Sequence, residues 1–68
     1  MQEFKIHIKD RIGELARVAE ALARNGVNIR AIAGERNFVR VVTDDVNTTR
    51  RALDEERLKY DLEEVVVV

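Results

Sequence analysis

Residues 10–35, "DRIGELARVAEALARNGVNIRAIAGE", pass from a helical to an extended pattern and decide the order of the fold. From Gly13 onward, apolar residues recur at the i, i+3, i+4, i+7 spacing that lines one face of a helix. They are Leu15, Val18, Ala19 and Leu22. Asp10 can cap the start of this helix, and Asn25-Gly26 supplies the left-handed residue that commonly ends one. The stretch therefore predicts a loop, a helix, a turn and a strand.

The neighbouring segments carry the features of β-strands. Residues 3–9 (EFKIHIK) alternate polar and apolar side chains, which is typical of a half-buried strand. Residues 27–33 (VNIRAIA) and 38–43 (FVRVVT) form two further predicted strands. Because only residues 34–37 separate them, we expect an antiparallel hairpin.

A second helix is predicted to begin after Asp44 or Asp45, either of which can cap it, and to end near Arg57. Residues 60–68, ending in four valines, form the last strand. Right-handed crossovers place both helices on one face of the sheet. The predicted fold is therefore α+β, a ferredoxin-like βαββαβ sandwich with a four-stranded antiparallel sheet of order 4-1-3-2, in a single domain over residues 1–68.

The predicted core lies between the helices and the sheet. It comprises Phe4, Ile6, Ile8, Leu15, Val18, Leu22, Ile29, Val39, Val41 and Leu53. Simple alternation directs a mixed set of residues to the other face: Glu3, Lys5, His7, Arg30, Ile32, Phe38, Arg40 and Val42. Two interpretations stay open for its apolar members and for the valine tail, namely ordinary surface residues and a contact surface for another chain.

Composition excludes several classes of function. Twelve basic and 13 acidic side chains leave a net charge of −1, which gives no field for attracting nucleic acid or anionic lipid. The chain has no cysteine, and we interpret its acidic pairs (44–45, 55–56 and 63–64) as solvated charge, so we predict no metal site. No apolar segment has the length of a signal or membrane span, so we expect a cytoplasmic location and no membrane partner.

Catalysis has little support in the sequence. His7 is the only histidine, and acid–base chemistry would need a positioned partner such as Glu3 or Glu64. We interpret His7 as a solvated strand residue and predict no catalytic residue and no cofactor. The first loop allows two interpretations: the helix start near Gly13 and the carboxylate of Asp10 hold the two charged ends of a free amino acid, or Asp10 only caps the helix.

The ordered residues of this stretch resemble the ACT domain family, a βαββαβ module that senses amino acids. The matching positions are Asp10, Gly13, Leu15, Gly26, Val27, Asn28 and Ile29. The resemblance implies a regulatory domain that is not an enzyme. It also implies pairing through the second strands into a homodimer or higher homo-oligomer, with the amino-acid effector at the interface. A regulated enzyme is a further candidate partner.

Carried over by position, the resemblance nominates two groups of ligand-binding residues. One chain contributes Asp10, Arg11, Ile12, Gly13 and Leu15, and its partner contributes Asn28 and Ile29. Ile12 stands where the family usually has proline, so the loop gains an N–H donor and loses rigidity. The alternative is a ligand-free structural or oligomerisation module of the same fold.

Overall fold

A computed structural model describes residues 1–9 and 11–66, with the backbone alone at Arg11. The elements in chain order are β1 (Gln2–His7), α1 (Arg11–Arg24), β2 (Ile29–Gly34), β3 (Phe38–Thr43), α2 (Val46–Glu55) and β4 (Tyr60–Glu64). The strands pair antiparallel in the order β2-β3-β1-β4. This is the predicted order 4-1-3-2 read from the other edge, and the ferredoxin-like βαββαβ fold is confirmed.

Helix α1 ends in a Schellman motif. The N–H of Val27 donates to the carbonyl of Leu22, and the N–H of Gly26 donates to the carbonyl of Ala23, both at 3.0 Å. Gly26 has φ 71°, the left-handed conformation that the motif requires. The helix begins at Arg11, two residues before the position that the apolar spacing predicts.

Helix α2 ends in the same motif without a glycine. The N–H of Leu58 donates to the carbonyl of Leu53, and the N–H of Arg57 donates to that of Asp54, both at 3.0 Å. Arg57 takes the left-handed position with φ 57°. Helix α2 therefore ends at Glu55, two residues before the predicted end at Arg57.

The start of α2 shows which of the two candidates, Asp44 or Asp45, caps the helix. The carboxylate of Asp45 accepts hydrogen bonds from the backbone N–H of Thr48 at 3.0 Å and from its hydroxyl at 2.7 Å. These bonds favour the ionised carboxylate, so the pKa of Asp45 lies below its ordinary value. Asp45, and not Asp44, is the cap of α2.

One member of the acidic pair 55–56 joins the two helices. Glu56 is half-buried, and its carboxylate accepts hydrogen bonds from Arg24 at 2.7 Å and from Arg17 at 3.3 Å. The hydrogen bond from Arg17, followed by that from Arg24, lowers the pKa of Glu56. The interpretation of this pair as solvated charge is wrong for Glu56, because α1 brings two arginines to it across a long sequence separation.

The core matches the prediction at most positions. Buried residues include Phe4, Ile6, Ile8, Val18, Leu22, Val39, Val41 and Leu53. Leu15 is half-buried and packs against them. Ile29 is 36% exposed, so its assignment to the core is wrong. The core also contains a polar residue that the predicted core list did not include, Thr49, whose hydroxyl contacts that of Thr43 at 2.8 Å and donates to the Asp45 carbonyl at 2.7 Å.

A β-bulge in β2 explains the error in the predicted direction of Ile32. Ile29 pairs with Thr43, but Ala31 pairs with Val42, so β2 carries one additional residue between these pairs. Residues directly opposite each other share a face, and Ile32 therefore lies on the same face as its partner Val41, a core residue. The outward direction predicted for Ile32 by simple alternation is wrong.

The valine tail departs from the prediction. Strand β4 ends at Glu64, earlier than the predicted end at residue 68. The N–H of Val65 donates to the carbonyl of Met1 at 2.8 Å, and Val66 is 84% exposed. Residues 67–68 lie outside the described residues.

Candidate functional site

The first turn of α1 carries one group of the predicted site residues. Ile12 is 87% exposed, Gly13 is exposed, and Leu15 is half-buried against the core. Asp10 and the side chain of Arg11 lie outside the described residues. The carboxylate of Glu14 accepts a hydrogen bond from the backbone N–H of Lys9, which ties the end of β1 to the first turn. The turn therefore presents Ile12 and Gly13 to solvent beside a hydrogen bond that joins it to the end of β1.

The second group lies at the opposite end of α1. Asn28 and Ile29 stand where β2 begins, after the Schellman turn. Helix α1 has 14 residues, which at 1.5 Å per residue separate the two groups by about 20 Å. One free amino acid cannot contact both groups within a single chain, so the structure does not bring the seven residues together in one copy.

Asn28 is joined to a residue that the sequence assigned to another role. Its backbone N–H donates to Asp44 Oδ1 at 3.3 Å, and its side-chain Nδ2 donates to Oδ2 at 3.0 Å. In return, the N–H of Asp44 donates to the carbonyl of Asn28 at 3.2 Å. These three bonds fix the start of β2 against the end of β3. One sequence signal could have indicated this role of Asp44. Because a helix uses only one capping residue, one aspartate of the pair Asp44-Asp45 is available for another contact.

Strand β2 forms one edge of the sheet and is exposed along its whole length. All six of its residues are exposed, and in the described chain it pairs only with β3. Two of them are large and apolar, Ile29 at 36% and Ile32 at 44% exposure. An edge strand with exposed apolar residues and no proline is a template for pairing with another chain.

The sheet face that the helices leave uncovered, here the open face, holds an ion-pair network. Arg40 donates hydrogen bonds to Glu3 and to Glu35, each at 2.8 Å, and lies 3.9 Å from Glu63. The hydrogen bonds that Arg40 donates to Glu3 and then to Glu35 raise the pKa of Arg40 above its ordinary value. Arg40 thus has three carboxylates of its own chain within 4 Å.

His7 lies in a second cluster on the open face. Its Nε2 is 2.9 Å from the Asp61 carboxylate, a partner that the sequence analysis missed because it named two glutamates instead. The His7 ring meets the Phe38 ring edge to face at 5.1 Å, and Lys5 Nζ lies 4.1 Å from the centre of the Phe38 ring. His7 thus contacts neighbours on both adjacent strands.

Residues 1–9 and 11–66 lack two further kinds of functional feature. No group of three histidine, cysteine or acidic side chains there could hold a metal ion. No helix in this part of the chain is long and apolar enough to cross a membrane.

Comparisons with known proteins agree with the geometry. The sequence profile of the ACT domain matches residues 3–63. The search of curated proteins gave no match. A solved protein of Bacteroides thetaiotaomicron has a TM-score of 0.78 and 24% identity over 91% of this chain and 46% of its own. The ACT domain of prephenate dehydrogenase from Bacillus anthracis has a TM-score of 0.71 and 24% identity, over 87% of this chain and 99% of its own.

A third similar structure is Escherichia coli aspartokinase III in complex with lysine and aspartate. Its TM-score is 0.71 at 21% identity, over 91% of this chain and 16% of its own. The chain thus spans about half of the Bacteroides protein and a small part of the aspartokinase. These structures share the fold, and the family profile covers nearly the whole chain. ACT domains are regulatory modules that bind amino acids, and the chain belongs to the ACT domain family.

Proposed function

We propose that residues 1–68 form a single regulatory domain that binds a free amino acid between two copies of the chain and helps to control amino-acid metabolism. The proposed partners are a second copy, the amino acid and a regulated enzyme, in the cytoplasm. Neither catalysis nor a cofactor, metal, nucleic acid or membrane is part of the proposal. The observation that carries it is the exposure of all six residues of β2 at a sheet edge.

The edge of β2 supports pairing between copies. A second β2 laid against this edge would satisfy its backbone groups and cover the apolar side chains of Ile29 and Ile32. A chain of 68 residues buries only about 60% of the surface that its unfolded form exposes, so additional burial in a homodimer or higher homo-oligomer would stabilise it.

The separation of the two residue groups supports a ligand between copies. About 20 Å of helix divides them within one chain, so a shared ligand requires the second group to come from a partner. In the proposed site, the start of α1 receives the carboxylate of the amino acid, and the partner supplies an amide and an apolar contact. The first group is Asp10, Arg11, Ile12, Gly13 and Leu15, and the partner's group is Asn28 and Ile29.

A ligand-free oligomerisation module is the second candidate function. The hydrogen bond from Asn28 Nδ2 to Asp44 favours it, because this bond already occupies one donor of the amide. Ile12 in place of the family's usual proline also favours it, since the loop loses the rigidity that proline gives.

A thermal-shift screen against the twenty amino acids separates the two candidates. An amino acid at one hundred times its dissociation constant should stabilise the native state by about 2.7 kcal/mol. We expect this response to vanish in Gly13→Leu, which fills the exposed first turn, and to persist in Ala16→Leu, which adds the same side chain at an exposed position one turn on. A flat response from a folded oligomer would favour the ligand-free module.

Light scattering tests the pairing itself. Ile32→Lys places a charge on the exposed edge strand, and Val66→Lys is the matched control at an apolar residue of higher exposure outside the sheet. We expect Ile32→Lys to shift the protein to monomers and Val66→Lys to leave the assembly intact. An unchanged oligomer in Ile32→Lys would contradict pairing through β2.

A further inference from the structure

A cavity of about 300 Å³ lies where the end of β1, the start of α1 and the turn from α2 into β4 meet. Two buried apolar residues line it, Ile8 at 5% and Leu58 at 8% exposure. Three exposed cationic residues line it as well: Lys9, Arg57 and Lys59. The cavity thus combines an apolar surface with a rim of positive charge.

Within the part of the chain that the structure describes, these three cations have no ion-pair partner. A fourth lining cation, Arg17, already pairs with Glu56, and the lining carboxylate of Glu14 accepts the Lys9 backbone N–H. Four cations and one carboxylate line the cavity, so its lining carries an excess of positive charge that a bound anion would offset.

The backbone at each cation is held by hydrogen bonds. The carbonyl of Lys59 accepts the N–H of His7 at 2.8 Å, which joins the turn to β1. Arg57 occupies the left-handed position of the Schellman motif, and the N–H of Lys9 is bound by Glu14. A site whose backbone is already in place loses less conformational entropy when it binds a ligand.

We propose that this cavity binds a small organic anion with two or more negative charges, either a phosphate ester or a dicarboxylate. Its charged groups lie against Lys9, Arg57 and Lys59, and its carbon skeleton packs on Ile8 and Leu58. Lysine and arginine are the usual protein groups for both kinds of anion. The cavity lies beside the first group of the proposed amino-acid site, but its lining shares no residue with either group, so the proposal does not depend on that site.

The test is a titration followed by amide NMR shifts, with inorganic phosphate and succinate as probes. Ionic strength is held constant with sodium chloride, because exposed charges respond to salt alone. We expect saturable shifts at the amides of Ile8, Lys9, Leu58 and Lys59 with at least one probe, and the tighter probe identifies the anionic group. Shifts that do not saturate, or that chloride reproduces, would overturn the proposal.

A charge variant tests which residues carry the binding. We expect the double substitution Lys9→Gln with Lys59→Gln to weaken the binding at least tenfold. The matched control is Arg36→Gln, at an exposed cation in the turn between β2 and β3, and it should leave the affinity unchanged. Equal affinities in the double variant and the control would refute the site, provided that the amide spectra show both variants folded.

Discussion

The two Schellman motifs predict that substitutions at equivalent positions change the stability of the fold in opposite directions. Gly26 with φ 71° ends α1, and Arg57 with φ 57° ends α2. A residue with a Cβ loses about 1–2 kcal/mol in the left-handed conformation. Part of this advantage, about 0.4–1 kcal/mol, is offset because glycine raises the conformational entropy of the unfolded chain. The balance favours glycine at both positions by about 0.5–1 kcal/mol.

The surroundings leave this backbone effect nearly unopposed. A Cβ added at Gly26 would meet no atom within 4 Å, so Gly26→Ala changes only the backbone preference. The Arg57 side chain is exposed and forms no ion pair with another described residue, so its removal loses little. We therefore expect Arg57→Gly to stabilise the fold and Gly26→Ala to destabilise it, each by about 0.5–1 kcal/mol.

Thermal unfolding at fixed protein concentration measures both effects. For a domain of this size, 1 kcal/mol shifts Tm by about 4–8 °C, so the expected shifts are about 2–8 °C in opposite directions. Arg57→Gln is the control, because it removes the charge and keeps the Cβ. A lower Tm for Arg57→Gly would refute the reasoning. A rise in Tm with Arg57→Gln as large as that with Arg57→Gly would also refute it, because the effect would then come from the lost charge.

Three further substitutions test the packing and the link between the helices. Glu56→Gln should lower Tm at neutral pH, because the lowered pKa of Glu56 means that its arginine contacts stabilise the fold only while the carboxylate is ionised. The difference in Tm from wild type should disappear as the pH falls through the pKa of Glu56 in the folded state. A difference that does not change with pH would contradict this. Leu53→Ala removes a side chain with no exposed surface and should lower the free energy of unfolding by about 2–5 kcal/mol in urea titrations, whereas a loss below 1 kcal/mol would mean that the core repacks. Thr49→Val keeps the shape but leaves the buried Thr43 hydroxyl with only its 3.4 Å bond to the Asp45 carbonyl, so we expect a loss of about 1–3 kcal/mol; Thr48→Val, which removes a half-exposed hydroxyl that donates to the Asp45 carboxylate, gives the comparison for a less buried hydrogen bond.

Sequence periodicity was sufficient for the architecture because each element is amphipathic in the period of its own geometry. Alternation in residues 3–9 and the helical spacing after Gly13 locate β1 and α1 without tertiary information. The error in the predicted direction of Ile32 has a different origin. A single additional residue between Ile29 and Ala31 reverses the faces of the remaining strand, and nothing in the apolar pattern marks where such a bulge falls.

The contacts around the site were less predictable than the elements. The bonds between Asn28 and Asp44 join residues 16 positions apart, and those between Arg24 and Glu56 join residues 32 apart. Such pairs depend on how elements pack, which local spacing does not encode. The left-handed conformation of Arg57 was also missed, because the usual sequence signal for that position is glycine or asparagine.

The distribution of paired and unpaired polar groups indicates where this chain can bind other molecules. On the open face, Arg40 is matched by glutamates and His7 by Asp61, so a partner docking there would have to desolvate charges that already satisfy one another. The edge of β2 and the cationic cavity differ from the open face. Within the described chain, the apolar side chains of Ile29 and Ile32 on β2 are exposed, and Lys9, Arg57 and Lys59 at the cavity form no ion pair. Binding at β2 would cover exposed apolar side chains, and binding in the cavity would neutralise cations that form no ion pair. The lining of the cavity and strand β2 share no residue, so a second copy at β2 and an anion in the cavity would contact different residues of the chain.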